Sequence, residues 1–501
     1  MAMFPDEVLL NILGHFGDEY NHDYNDSTII KHALLDLCRS SKLFCIAAQP
    51  ILHSKYSRTN NEMDQYTEDD HLPATRYRRL RRTTRTENFI RTLIHQPDLA
   101  ANVKIIRLHA FQNGNRPKSF ASEYLPLDPI MTMLMSDASQ RIPPPEPPMM
   151  FRVVPVDSKT EDKHSILKWQ DKWRSALRRG APNAEIALLL ALLPNVSHLQ
   201  LSSSDYDLGE YVDNLCEQML GPLPRKRVNQ HGLELKVDSD WRSQSCTPVS
   251  ILPNLKELRV ATQHNWSNLT FEGIKYFITI PTLRRLSCTN LDATPRHTDQ
   301  RFFHHPLGHI EFLQLDDCTF TVEALSELTE VCTGLKHLDI QFSWSDPINL
   351  GGIFWRNLNK RAQTLETLQL EKYDHSGMTL RDRIKLTQFA KLSSPSIEQG
   401  PAFVIHDSLP TSPKKLLINK CDEQIAPLVN RLEQAVMIKR LSNLKELSVM
   451  VEFSRIDEGL KPDLFDKFHR LEDSFRDKNL EFRLIPEPVL DGTVRGKSKV
   501  P

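Results

Sequence analysis

One pattern of apolar and polar positions recurs along this 501-residue chain: apolar-x-x-apolar-x-apolar, usually after a Pro-x pair or a turn. It reads Val196-Ser-His-Leu-Gln-Leu201, Leu255-Lys-Glu-Leu-Arg-Val260, Leu283-Arg-Arg-Leu-Ser-Cys288 and Ile310-Glu-Phe-Leu-Gln-Leu315. Leu335–Ile340, Leu365–Leu370 and Leu444–Val449 repeat it, and Val103–Leu108, Pro413–Ile418 and Leu480–Leu484 are weaker copies. Successive side chains of a strand point to opposite faces, so the two alternate apolar residues bury one face and their neighbours face out. Between strands lie helical patterns such as Val322–Cys332, with Thr321 placed to cap. A single strand–helix unit cannot cover its own apolar face; stacked units complete a continuous core.

Steps between the central copies are 28, 27, 25 and 30 residues. Those steps bracket the period of leucine-rich repeats, which the chain resembles from about 100 to 485. The predicted fold class is therefore α/β. A short N-terminal helical domain precedes an irregular leucine-rich-repeat solenoid, with parallel strands on the concave face and helices outside. Leu199, Leu258, Leu286, Leu313, Leu338, Leu368 and Leu447 are predicted to stack in one row. The array is interrupted by insertions near 112–185, 205–250 and 372–412. The first holds the proline run Arg141–Pro148, which suits a stiff surface loop.

The N-terminus carries a different pattern. Val8, Leu9, Ile12, Leu13 and Phe16 recur at three- and four-residue steps after Pro5, Asp6 and Glu7, the residues that favour a helix start. Ala33 to Phe44 and on to Ala48 forms a second helical segment, which Pro50 is expected to end. This is more apolar surface than some fifty residues bury alone. Phe4-Pro5-Asp6-Glu7-Val8-Leu9-Leu10-Asn11-Ile12 and Leu37 through Ser40-Ser41-Lys42-Leu43-Phe44 resemble the two halves of the F-box. The tail Ala48-Gln49-Pro50-Ile51-Leu52-His53 resembles its fungal members. Phe4 stands where the family has Leu, and the polar insert Gly17–Lys31 is longer than usual.

The resemblance implies a domain over 1–56 that docks the Skp-family adaptor of a cullin-RING ubiquitin ligase. Phe4, Pro5, Leu9, Ile12, Leu37 and Phe44 would face the adaptor. It further implies that the repeats, 101–485, hold an unknown protein to be ubiquitinated, with a basic helical linker over 57–100 and a disordered tail over 486–501. Outward residues of the strands include Phe312, His337 and Asp339, and Tyr206, Trp266, Trp344 and Tyr373 follow the strand ends. Phe312, His337, Trp344 and Tyr373 are the expected client contacts, because large aromatic rings dominate binding energetics.

Composition changes this picture little. The chain is 40% hydrophobic and 25% charged with a formal net charge of -1, so no global field draws it to nucleic acid or to acidic substrates. Residues 1–70 hold 5 Lys/Arg against 12 Asp/Glu, while 71–120 hold 11 against 2. Arg76 to Arg85 contains six arginines, read as an exposed linker or a contact for acidic segments, with nucleic-acid binding a third and weaker reading. No signal sequence, membrane-length apolar run or paired-cysteine spacing occurs, which points to the nucleus or cytoplasm. The four Asn-x-Ser/Thr triplets, one of them at Asn195, then read as chance matches. No phosphate-binding loop, nucleophile elbow or zinc helix is present, and His304, His305 and His309 lack partners at zinc spacing. Asp69-Asp70 and Asp316-Asp317 read as polar loops. The sequence thus points to a non-enzymatic protein with no cofactor and no metal. The competing reading is a repeat scaffold that acts without the ligase, its helical unit capping the array.

Overall fold

The computed structural model describes residues 27–40, 42–58, 85–109, 171–177, 182–203, 252–262, 269–293, 307–342, 352–371, 386–398, 409–421, 431–436, 441–451, 461–477 and 480–486. The fold is α/β, with parallel strands separated by helices. It divides into two compact units, Met1–Asp292 and Ala293–Pro501.

In the first unit, helices α1 (Ser27–Ser40) and α2 (Lys42–Leu52) lead into strand β1 (Lys55–Arg58). Helices α3 (Arg85–His95) and α4 (Pro97–Asn102) connect it to β2 (Ile105–His109). Helix α5 (Pro182–Leu192) precedes β3 (His198–Ser203), and β4 (Glu257–Thr262) follows. A two-residue strand β5 (Leu269–Thr270), helix α6 (Phe271–Ile278), β6 (Arg285–Thr289) and the short β7 (Leu291–Ala293) complete the series. β1, β2, β3, β4 and β6 pair side by side in chain order, all parallel; β5 pairs with β7.

The second unit repeats the plan. Its strands are β8 (Phe312–Phe320), β9 (His337–Phe342), β10 (Thr367–Glu371), β11 (Ser394–Glu398), β12 (Lys415–Cys421), β13 (Glu446–Val451) and β14 (Glu481–Pro486). Each pairs in parallel with the next. Helices α7 (Val322–Val331), α8 (Gly352–Asn359) and α9 (Lys461–Arg476) and a 3-10 turn at Leu386–Gln388 fill connections. Thr321 caps α7 as its position suggested, its Oγ1 accepting from the Ala324 N–H at 3.2 Å.

One hydrogen-bond device recurs at the start of the strands. The carbonyl just before a strand accepts two successive N–H groups from the next unit of the ladder. The Ser54 carbonyl takes Lys104 and Ile105, Lys104 takes Ser197 and His198, and Ser197 takes Lys256 and Glu257, each at 2.8 and 3.0 Å. Lys336 likewise takes Glu366 and Thr367 at 2.7 and 3.0 Å, and Ser393 takes Lys414 and Lys415 at 2.8 and 3.0 Å. A carbonyl oxygen has two lone pairs, and here both are used. Turn asparagines reinforce the first unit: Asn195 Nδ2 donates to the Ala101 carbonyl at 2.9 Å, and Asn254 Nδ2 to Asn195 Oδ1 at 3.1 Å. The triplet at Asn195 is therefore part of a structural turn.

The seven leucines of the predicted row are each no more than 1% exposed. Leu199, Leu258 and Leu286 are register partners in the first unit, as are Leu313, Leu338 and Leu368 in the second. Several details differ from the sequence reading. Strand pairing begins at Lys55, ahead of residue 101, because Tyr56 is a core residue: its ring stacks on Phe89 at 4.2 Å and its hydroxyl donates to Thr86 Oγ1 at 2.9 Å. The segment read as a helical linker thus supplies α3 and α4 as the first crossover. The segment read as an insertion over 372–412 contains a repeat, β11. Its Leu392-x-x-Pro395-x-Ile397 places proline where leucine was sought. Pro395 has no N–H to give, and the register with β12 starts only at Ser396.

Two helix boundaries also shift. α1 starts at Ser27, inside the polar insert, because Ile30 and Leu34 bury one turn apart. α2 runs through Pro50 to Leu52, since the His53 N–H still reaches the Gln49 carbonyl at 3.0 Å. Asp316 and Asp317 lie in β8 rather than in a loop. Asp317 takes a φ of 49°, which Asp tolerates, and a bulge there lets the strand continue to Phe320.

Leu338→Ala should cost about 2–5 kcal/mol in denaturant unfolding, because a buried position between two register partners cannot collapse around the void. Gly334→Ala should destabilise by about 1–3 kcal/mol, since its methyl would overlap the Gly308 carbonyl oxygen, a backbone atom fixed by the neighbouring turn. Unfolding midpoints equal to wild type for both variants would contradict this packing.

Candidate functional site

The helical pair α1–α2 has a small core. Ile30, Leu34 and Ala48 are buried, with Leu37, Cys38, Ile51 and Leu52 packed against them. Leu37 lies in that core and Phe44 is half-buried. Phe4, Pro5, Leu9 and Ile12 lie outside the described residues. Two large side chains of this pair, Ile29 and Ile46, stay 70% and 61% exposed. Burial and a hydrogen bond with Cys45 push the Cys38 thiol up from its ordinary value, which disfavours the reactive thiolate.

The outward face of the second unit is the next candidate. Phe312, His337, Thr367 and Ser394 form one row across β8 to β11. The Phe312 and His337 rings lie 5.7 Å apart and tilted, and His337 Nδ1 is hydrogen-bonded to Thr367 Oγ1 at 2.8 Å. The structure thus brings two of the four expected client residues together. Trp344 and Tyr373, like Tyr206 and Trp266, lie outside the described residues.

Behind that row lies a group the sequence reading did not assemble. Gln314, Asp339, Gln369 and Ser396 form the next row, and Asp316, Gln341 and Glu371 the one after. Gln341, Gln369 and Asn419 all donate to the Glu371 carboxylate, at 3.3, 2.9 and 2.8 Å. Asn419, 2% exposed, also donates to Ser396 Oγ at 3.0 Å. Asp339 sits between Asp316 and Glu371 on the flanking strands, and burial first, then those two charges, push its carboxyl up to about 7. The signal was present as acidic residues at outward positions; which of them meet across strands needed the register. Among the described residues no group of His, Cys, Asp or Glu is arranged to hold a metal ion. Farther along, Lys415 and Arg483 flank Glu446 at 2.7 and 3.5 Å, and the Lys415 hydrogen bond leads in holding its carboxyl below the ordinary range.

Among the described residues, the outward rows of the first unit hold more cations than carboxylates. Its rows run Lys55, Ile105, His198, Glu257, Arg285 and Ser57, Arg107, Gln200, Arg259, Ser287. Burial, then repulsion from Arg107, lowers the Lys55 ammonium to about 8. Burial also lowers His198, helped by Arg259, Lys256 and Arg285 and opposed by Glu257, which lies 3.5 Å from its Nε2.

No described helix is long and apolar enough to cross a membrane. The chain matches no protein-family model, and no curated protein matches it significantly.

The Asp339 shift fixes a pH dependence. Its folded value of about 7 lies above the ordinary 3.8, so the folded chain holds a proton that the unfolded chain has lost across that window. Its contribution is fully present below about pH 4 and is lost as pH rises through 7. Asp339→Asn should flatten the loss and raise the melting temperature at pH 8 by roughly 2–4 °C. A variant whose pH profile superimposes on wild type would refute the carboxylate grouping.

Proposed function

We propose that this chain is a substrate-recognition subunit of a Skp–cullin–F-box ubiquitin ligase. In this reading the N-terminal helical unit docks the Skp-family adaptor. The two ladders belong to a leucine-rich-repeat-like solenoid whose outward strand faces hold the protein to be modified. The chain itself makes and breaks no covalent bond and needs no cofactor. It raises the rate of transfer by holding its client near the charged conjugating enzyme at high effective concentration. Such work belongs in the nucleus or cytoplasm.

The observation that carries the reading is the combination, beside Ile30 and Leu34, of an F-box-like sequence with the exposed side chains of Ile29 and Ile46. Exposed apolar side chains on a small helical unit suit a surface that a partner covers. The client side draws support from the Phe312–His337 pair, two rings on an outward row flanked by hydrogen-bonding Thr367 and Gln314. A second reading, a scaffold with no ligase partner, draws on the path of the chain. α2 runs into β1 through His53 and Ser54 alone, and the Ser54 carbonyl is the first clamp of the ladder. That is the position a cap would take.

Capture by purified Skp-family adaptor separates the two. Wild type should bind, and Ile12→Asp should lose binding by about tenfold or more, because a charge buried without a partner costs several kcal/mol. The melting temperature of the variant should match wild type. Equal capture of both, or capture of neither, would favour the scaffold.

A further inference from the structure

The outward positions of β8, β9 and β10 carry the carboxylates Asp316, Asp339 and Glu371 and no lysine or arginine. Lys336, just ahead of β9, is paired with Glu311 at 2.8 Å. The amide donors of the face are already engaged. Gln314 Nε2 donates to Asp316 Oδ2 at 3.0 Å, and Gln341, Gln369 and Asn419 donate to Glu371. The charges beside Asp339 are both negative, and no hydrogen bond or ion pair joins its carboxyl to a described residue. Deeper in the same group, Asn419 is 2% exposed and its Nδ2 holds Glu371 and Ser396. Its Oδ1, on the same amide carbon, has no donor among the described residues. A buried oxygen without a donor is costly, so the group is short of donors as well as of positive charge.

We propose that this face takes an arginine side chain of the client, its guanidinium against Asp339 and its stem across the Phe312–His337 pair. The inference deepens the client-binding reading of that face and rests on it for biological purpose; it does not depend on the adaptor. Chemistry selects the ligand. A guanidinium is planar, carries five N–H donors and no acceptor, and keeps its charge. Two parallel donors suit the Asp339 carboxylate, and the remaining ones suit the carbonyl oxygens of Gln369 and Gln341, whose Nε2 groups are turned to Glu371. Gln369 is the register partner of Asp339, and Gln341 stands two residues farther along β9. The ring pair stands two residues earlier on β8 and β9, about 6.6 Å away, within reach of a side chain that stacks on aromatic faces. A lysine ammonium, a compact point charge, would meet Asp339 without the fork or the stacking. A metal ion would call for converging ligands, and among the described residues no group of His, Cys, Asp or Glu is so arranged.

The test is fluorescence anisotropy of the full chain at pH 8, where Asp339 is ionised, with a labelled seven-residue peptide alternating arginine and serine. Controls carry citrulline, which keeps the shape of arginine without its charge, or lysine in place of each arginine. The arginine peptide should bind about tenfold or more tighter than the citrulline peptide, and tighter than the lysine peptide. D339N should weaken it by about fivefold or more, whereas Glu323→Gln, exposed at the start of α7, should leave it unchanged. Thermal unfolding and adaptor capture are measured on the same proteins. If D339N fails to fold, Phe312→Ala on the outward row replaces it and should weaken binding several-fold. Equal binding of the citrulline or the lysine peptide would overturn the proposal, as would full binding by a folded D339N or Phe312→Ala. Wild type that captures adaptor but not the arginine peptide sinks this inference alone; wild type that binds the peptide but not adaptor sinks the ligase reading alone.

Discussion

The carbonyl that accepts two successive N–H groups from the next unit of the ladder is the constraint on which both units depend. At Ser54, Lys104, Ser197 and Lys256 in the first unit, and at Glu311, Lys336, Glu366, Ser393 and Lys414 in the second, the same backbone contact recurs. It fixes the register of each strand against its neighbour before any side chain is considered. With register fixed, every alternate residue is committed to the core or to solvent. The leucines then have no choice but to stack, and the polar residues between them are displayed in straight rows. Because the contact uses backbone atoms alone, side chains at the clamping positions vary freely among Ser, Lys and Glu.

That freedom explains how two ladders of one plan carry different surfaces. In the first unit, the outward rows gather Lys55, Arg107, Arg259 and Arg285. In the second they gather Phe312 and His337 beside Asp316, Asp339 and Glu371. Packing does not dictate these residues, since they face away from the core. Stability argues against some of them: burial, then the neighbouring Asp316 and Glu371 charges, raises the Asp339 value to about 7, and burial, then Arg107, lowers Lys55 to about 8. Charge arrangements that work against the fold are where recognition is best sought.

Much of the fold was legible in the sequence because apolar alternation and turn residues are local signals. The strands around Leu258, Leu286, Leu313, Leu338 and Leu368 fell where the pattern put them, and so did the Thr321 cap. β11 was missed because Pro395 replaced the central leucine and still buried as one. β1 was missed because its core residue is Tyr56, held by Phe89 and Thr86 from thirty residues away. The grouping of Asp316, Asp339 and Glu371 could not be read either. It depends on a bulge at Asp317 and on pairings between residues separated by whole repeats. Of the candidate site, the Phe312–His337 pair was legible from alternation, while its charged surroundings needed the register.

The proposed function divides the work between the helical unit, which would dock the adaptor, and the outward faces of the ladders, which would hold the client. Hydrogen–deuterium exchange of the full chain, with and without purified Skp-family adaptor, distinguishes this division from a scaffold. Adding adaptor should slow exchange within residues 1–58 and leave exchange in β8 to β12 unchanged, if those faces are free to take a client. Slowed exchange spread across those strands, or no change in the N-terminal residues, would contradict it.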